Sequence, residues 1–263
     1  MVPCGGYLAG EMFSDAILPN LASSVEGMAG TVRNQAASPV SGALPVLQEY
    51  YNSLFAANGP QHWWPGRSRF EVIVGAILTQ NTAWTNVERA IVNLRRERLL
   101  TPGAVRRVPV ERLAQLIHSS GYFRQKAKKL KAFVEFLDVK YAGSLSKMFR
   151  APTTKLRQQL LHVHGVGPET ADSILLYAGN HPVFVVDAYT RRILERHGLI
   201  VLKSTYEDIR HLFERSLPKD AALFNEYHAL IVRTGKDFCT TRAPRCAECP
   251  LKPFLPEGGA LVA

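Results

Sequence analysis

Two short stretches carry residues whose type and spacing could do chemistry. In VVDAYTRRI, Asp187 stands directly after an apolar run and before a helix-forming segment. N–H groups at a helix start favour an ionised carboxylate, which can stabilise developing positive charge or take a proton from water. Aspartate is also a preferred N-cap, worth about 0.5–2 kcal/mol in that role alone, so cap and catalyst are both open at this position. Upstream lies HGVG, His164 to Gly167, followed by Pro168 at a first helical position. Glycines on both sides of Val166 allow a tight turn with outward N–H groups, which suits a phosphate oxygen; an ordinary helix–helix turn would look the same.

Aromatic and basic residues extend the pattern. Trp63 and Trp64 are adjacent in HWWPGRSRFE, and Trp84 follows the polar corner Thr79-Gln80-Asn81-Thr82, where Thr82 is a candidate N-cap. A loop tryptophan is more often a core anchor than a ligand contact, but an indole also stacks on a flat cationic ring, adding cation–π attraction to dispersion. The net charge of +10 and pI near 9.6 give a surface that attracts polyanions. Much of the excess lies between Arg89 and Arg157, including RRER and RQKAKKLK. Nucleic acid is the expected partner, with Lys126 and Lys128 as salt-sensitive phosphate contacts.

The elements that must position these groups are helical. Leu156, Leu160, Leu161 and Val163 before the turn, and Ala171, Ile174, Leu175 and Ala178 after it, recur at helical spacing. Helices are also read in LPVLQEYYNSLFAA, FEVIVGAILTQNT, WTNVERAIVNLR, on both sides of Gly121, and in STYEDIRHLFERSL and AALFNEYHALIVRTGKDF. No strand pattern extends beyond VFVV, so the class is all-α. A chain of 263 residues suffices for two lobes sharing an interface. No apolar run approaches the roughly 18 residues needed to span a bilayer, which excludes a membrane-spanning protein. Residues 1–43, rich in Gly, Ala, Ser and Pro and without a basic start, read as a disordered extension rather than a secretory signal.

LHVHGVGPETADSILLYA followed by VFVVDAYTRRIL resembles the helix-hairpin-helix and aspartate signature of the endonuclease III superfamily of DNA glycosylases, over roughly Leu47 to the C-terminus. The resemblance implies a two-lobed helical fold with a cleft: residues 44–66 plus 182–263 in one lobe, 67–181 in the other, and the hairpin at 156–179. It implies that Asp187 is the catalytic carboxylate, that His164, Gly165, Val166 and Gly167 hold the DNA backbone, and that Gln80 enters the duplex in place of the extruded nucleotide. WWP, LTQNT and Trp84 look closest to the 3-methyladenine branch, with Trp63 and Trp84 lining the base pocket and Trp64 structural. Members that cut the strand carry a lysine at the second position after the last hairpin glycine, where this chain has Glu169. A carboxylate cannot form a Schiff base. The expectation is therefore a monofunctional glycosylase of damaged double-stranded DNA, with Glu169 adding attraction for a cationic base. A bifunctional lyase using another lysine and a non-catalytic DNA-binding module are the alternatives.

Three of the four cysteines cluster as Cys239-x6-Cys246-x2-Cys249, which suggests metal ligation in a reducing compartment. The spacing resembles the iron–sulfur loop of endonuclease III relatives, but Leu255 occupies the fourth cysteine's position, and Cys4, at the far end of the chain, could complete the set only if the N-terminal extension reached the loop. A [4Fe–4S] cluster ordinarily needs four thiolates, so a metal-free or differently liganded loop is favoured over a bound cluster. Arg242, Arg245 and Lys252 could contact phosphate either way. A monomer inside the cell, in the cytoplasm or nucleoid of a prokaryote, completes the expectation.

Overall fold

The computed structural model describes residues 43–261, and among these the chain is helical, without strands. The disorder expected for residues 1–43 and the role weighed for Cys4 fall essentially outside this range. Helix α1 (Ala43–Asn58) places Leu47, Tyr50 and Leu54 in one core. The chain then crosses to a second lobe built around α2 (Arg69–Leu78), whose residues from Phe70 onward are all buried. Ser68 caps this helix by accepting from the Glu71 N–H. The Glu71 carboxylate, turned inward, is paired with Arg95 Nη2 at 2.7 Å, without which its burial would be strongly unfavourable.

Around α2 are α3 (Trp84–Arg96), α4 (Pro102–Arg107), α5 (Val110–Leu116), α6 (Phe123–Tyr141), α7 (Leu145–Met148), α8 (Thr153–Leu161) and α9 (Pro168–Ser173). Two starts differ from expectation. Helix α3 begins after Ala83, not at a Thr82 cap, and Thr82 is buried beside Asn86. Helix α4 is an addition, although its signals are present: Thr101 accepts from the Ala104 N–H and Pro102 occupies the first turn.

One π-helical turn, Ile174–Ala178, follows α9 and joins the lobes. Ile174, Leu175 and Ala178 belong to the core around α2, whereas Leu176 belongs to the other. The extended 183–186 segment then leads into α10 (Ala188–Arg196), α11 (Tyr206–Ser216) and α12 (Ala221–Asp237), which complete the lobe begun by α1. Asp172, fully buried, accepts two bonds from Arg157 at 2.7 and 3.0 Å and one from Tyr206 at 2.9 Å. Arg157 also reaches Glu207 at 2.6 Å. The hairpin helices α8 and α9 are thereby tied to α11, so hairpin and aspartate are held in a fixed relation across the lobe boundary.

Candidate active site and nucleic-acid interface

Asp187 caps α10, and its two oxygens have different surroundings. Oδ1 accepts from the Thr190 N–H at 2.8 Å and from Thr190 Oγ1 at 3.0 Å. Oδ2 lies 3.6 Å from His228 Nε2. Capping thus occupies one oxygen and leaves the other facing the site. Both roles weighed for Asp187 are compatible with this geometry.

Asp187 and Glu169 are close enough to interact. Desolvation by neighbouring protein pushes the Glu169 carboxyl up to about 7 and the charge of Asp187 adds to this, although the residue as a whole is exposed. Near neutral pH it is therefore divided between acid and carboxylate, which weakens the attraction expected for a cationic base. On the far side, burial lowers the Lys236 ammonium while Asp187, Asp237 and Glu88 pull it back up. Lys236 of α12 thus lies within electrostatic reach of Asp187 and of Glu88 of α3.

The three tryptophans form one cluster at this site. Ring centroids are 5.5 Å apart for Trp63–Trp64, 6.3 Å for Trp63–Trp84 and 5.1 Å for Trp64–Trp84. Trp64 lies against α2, where a Cβ at Gly75 would come within 3.0 Å of its ring, and packs on Tyr177 at 5.0 Å. That is an anchoring role. Trp84 Nε1 donates to Glu88 at 2.7 Å. Trp63 Nε1 is buried beside the Tyr177 hydroxyl without reaching hydrogen-bond geometry, so the indole N–H of Trp63 is an open donor.

At the hairpin, Gly165 has φ +78°, the left-handed conformation that glycine adopts freely. The Lys129 stem covers it so closely that a Cβ would fall 2.5 Å from its carbons. Gln80 Nε2 donates to Gly165 O at 3.0 Å and to Thr170 Oγ1 at 2.8 Å, while Lys129 Nζ donates to Gln80 Oε1. Gln80, Lys129 and the turn therefore form one unit. His164 and Gly167 are exposed there.

Two expected DNA contacts are placed otherwise. Lys126 is 1% exposed and donates to Leu78 O at 2.9 Å and to Ser120 O at 2.5 Å, so it caps helix ends inside the lobe and does not present its ammonium to phosphate. Its apolar stem and the α6 register turn it inward, and burial lowers it to about 8. Val166 is buried and its N–H bonds to Val163 O at 3.0 Å, leaving the outward donors to its neighbours. Lys128 and Arg242 are exposed; Arg245 is exposed too, but donates to Asp237 O and lies 5.5 Å over the Phe238 ring.

Cys239, Cys246 and Cys249 line one small cavity together with His197 and Leu255. Among the described residues no three His, Cys, Asp or Glu side chains converge on a single-ion position. Leu255 stands at the fourth cysteine's position in sequence and lines the cavity, so the described residues supply three thiols and not the four thiolates of a [4Fe–4S] cluster. Arginines hold the loop instead. Arg196 donates to Thr240 O at 2.7 Å, Thr241 O at 2.9 Å and Cys239 Sγ at 3.3 Å, and Arg192 donates to Cys239 O at 2.7 Å.

Four residues that the sequence did not single out complete the site: Tyr177, His228, Lys129 and Lys236. Lys129 had a signal, since it lies within the basic run. Tyr177 and His228 had none, because each sits in an apolar helical pattern that reads as core.

The sequence profile of the HhH-GPD superfamily of base excision DNA repair proteins matches residues 74–219. A putative DNA repair glycosylase of Methanocaldococcus jannaschii is 47% identical over 211 residues, 80% of this chain and 95% of that protein. Endonuclease III of Thermotoga maritima is 32% identical over 183 residues, 70% of this chain and 80% of that protein. Among solved structures, the H. pylori 3-methyladenine DNA glycosylase MagIII bound to 1,N6-ethenoadenine superposes with a TM-score of 0.64 at 28% identity, covering 74% of this chain and 97% of that one. An endonuclease III–DNA complex gives a TM-score of 0.70 at 24% identity, covering 81% and 95%, a likeness of fold.

Proposed function

The chain belongs to the HhH-GPD superfamily of base excision DNA repair proteins, and we propose that within it this DNA glycosylase is monofunctional, removing an alkylated base of the 3-methyladenine type from double-stranded DNA. The observation that carries this reading is Glu169, a carboxyl beside Asp187 at the position where strand-cutting relatives hold an amine. It has no nucleophilic nitrogen with which to attack the sugar.

A base inside a duplex is out of reach, so the nucleotide must be turned out into a pocket. Gln80 and the hairpin lie at one edge of the site to fill the gap and hold the backbone; the Trp63–Trp84 pair receives the base. As the glycosidic bond breaks, its electron pair leaves with the base and the sugar gains oxocarbenium character. Ionised Asp187 stabilises that charge through Oδ2 and accepts the proton of the water that adds to the sugar carbon, leaving an abasic site uncut. The cysteine loop holds its form through Arg192 and Arg196 without four thiolate ligands.

A specific observation favours one second reading: Lys236 brings an amine with a lowered pKa toward Asp187, and the 32% identical relative is an endonuclease III. Borohydride trapping with abasic DNA separates the two. The monofunctional reading expects no covalent adduct, and an adduct lost in Lys236→Ala would establish the lyase. Base release from alkylated DNA by the wild type but not by Asp187→Asn is the positive result; no release by either would favour a DNA-binding module.

A further inference from the structure

His228 is 6% exposed on α12, and both of its ring nitrogens face groups of the site. Nδ1 lies 2.6 Å from the Tyr177 hydroxyl. Nε2 is buried without a hydrogen-bond partner, with Asp187 Oδ2 3.6 Å away. A buried imidazole nitrogen is rarely left unmatched, and such a group at a site calls for an explanation.

The protons on this chain can be assigned from its chemistry. Burial holds the Tyr177 phenol well above its ordinary range, with Asp187 and Glu169 adding to the effect, so the hydroxyl remains a donor. Burial lowers His228, against the pull of Asp187, so the ring is neutral. If Nδ1 accepts from Tyr177, the single ring proton sits on Nε2 and points at a carboxylate oxygen. The opposite tautomer would set the Nε2 lone pair against that oxygen, which is unfavourable in a buried site.

We propose that His228, held by Tyr177 in its Nε2–H form, is the positioning residue of Asp187. It fixes Oδ2 toward the sugar while Thr190 fixes Oδ1. The inference rests on the reading of Asp187 as the catalytic carboxylate. A separation of 3.6 Å is beyond hydrogen-bond reach, and bonds of this kind often tighten only when substrate is bound. Glu169, Lys236 and Tyr189 also interact electrostatically with Asp187; His228 is set apart by a buried ring nitrogen that has no hydrogen-bond partner and lies 3.6 Å from Oδ2. The π-helical turn is part of the device, since it carries Tyr177 between the lobes to meet α12.

The test uses the full-length protein in two measurements. Ring 15N spectra are expected to show His228 as the neutral Nε2–H tautomer, with its signals moving in Asp187→Asn; an Nδ1–H tautomer, or signals that ignore Asp187→Asn, would overturn the proposal. Base release from dimethyl sulfate-treated DNA is then followed with enzyme in excess. His228→Leu is expected to slow release about a hundredfold, the typical cost of a misplaced catalytic group, with DNA affinity close to wild type and a melting temperature lowered by the loss of the acceptor for the Tyr177 hydroxyl. His228→Gln, whose amide can reach the Nε2 position, should recover most of the rate. A His228→Leu rate equal to wild type, with Asp187→Asn inactive, sinks this inference alone. Equal release by wild type and Asp187→Asn sinks the reading of Asp187 beneath it. If His228→Leu does not fold, His228→Gln and the spectra decide.

Discussion

Gln80 Nε2 donates to the carbonyl oxygen of Gly165 at 3.0 Å. The side chain that would enter the duplex and the turn that would hold its backbone are therefore bonded to each other in the free protein. Thr170 and Lys129 complete the contact, so Gln80 would have to exchange these bonds to enter DNA.

Replacing Gln80 by alanine should cost roughly 1 kcal/mol of stability, since partly exposed partners can turn to water. Base release should fall by more than this loss accounts for. Thermal melting and single-turnover release on the same preparations check the two effects, and a rate equal to wild type would remove Gln80 from the extrusion step.

Glu169 makes stability depend on pH. Its folded value, about 7, lies above the ordinary 4.5. A group raised on folding is most favourable to the fold while protonated in both states, and that favour is lost as pH rises through the folded value. Glu169→Gln should melt with the wild type below pH 4.5, rise above it progressively through pH 7, and stay above it at higher pH. A constant difference across this range would show that the carboxyl is fully solvated.

Glu169→Lys should place an amine beside Asp187 and yield a borohydride-trapped adduct with abasic DNA, which the wild type should not give. Failure of both to give an adduct would mean that this position does not reach the sugar.

Lys126 and Lys128, neighbours but one in the same run, should respond oppositely. Lys126→Met leaves Leu78 O and Ser120 O without their donor and should destabilise by about 1–3 kcal/mol, with the salt dependence of DNA binding unchanged. Lys128→Ala should leave the melting temperature alone and reduce the slope of log affinity against log salt by about 0.9.

Arg196→Ala should expose the cysteine loop to limited proteolysis, because this guanidinium holds Thr240 O and Thr241 O. Iron analysis of the wild type should fall well short of four atoms per chain, and a stoichiometric cluster would overturn the arginine-held loop.

What the residues alone determined was whatever depends on local pattern. Helical spacing on both sides of HGVG, the aspartate after VFVV and Glu169 in GVGPET set the helical class, the superfamily resemblance and the chemical argument against a lyase. The tertiary structure decided direction and company. Lys126 and Lys128 differ by two positions in one basic run, and only packing of α6 against its lobe turns the first inward. Tyr177 and His228 look like core residues in their helices, and His228 is buried and Tyr177 partly so. Their hydroxyl and imidazole meet only because the π-helical turn and α12 approach from chain segments far apart, and a contact between distant segments leaves no periodicity in either.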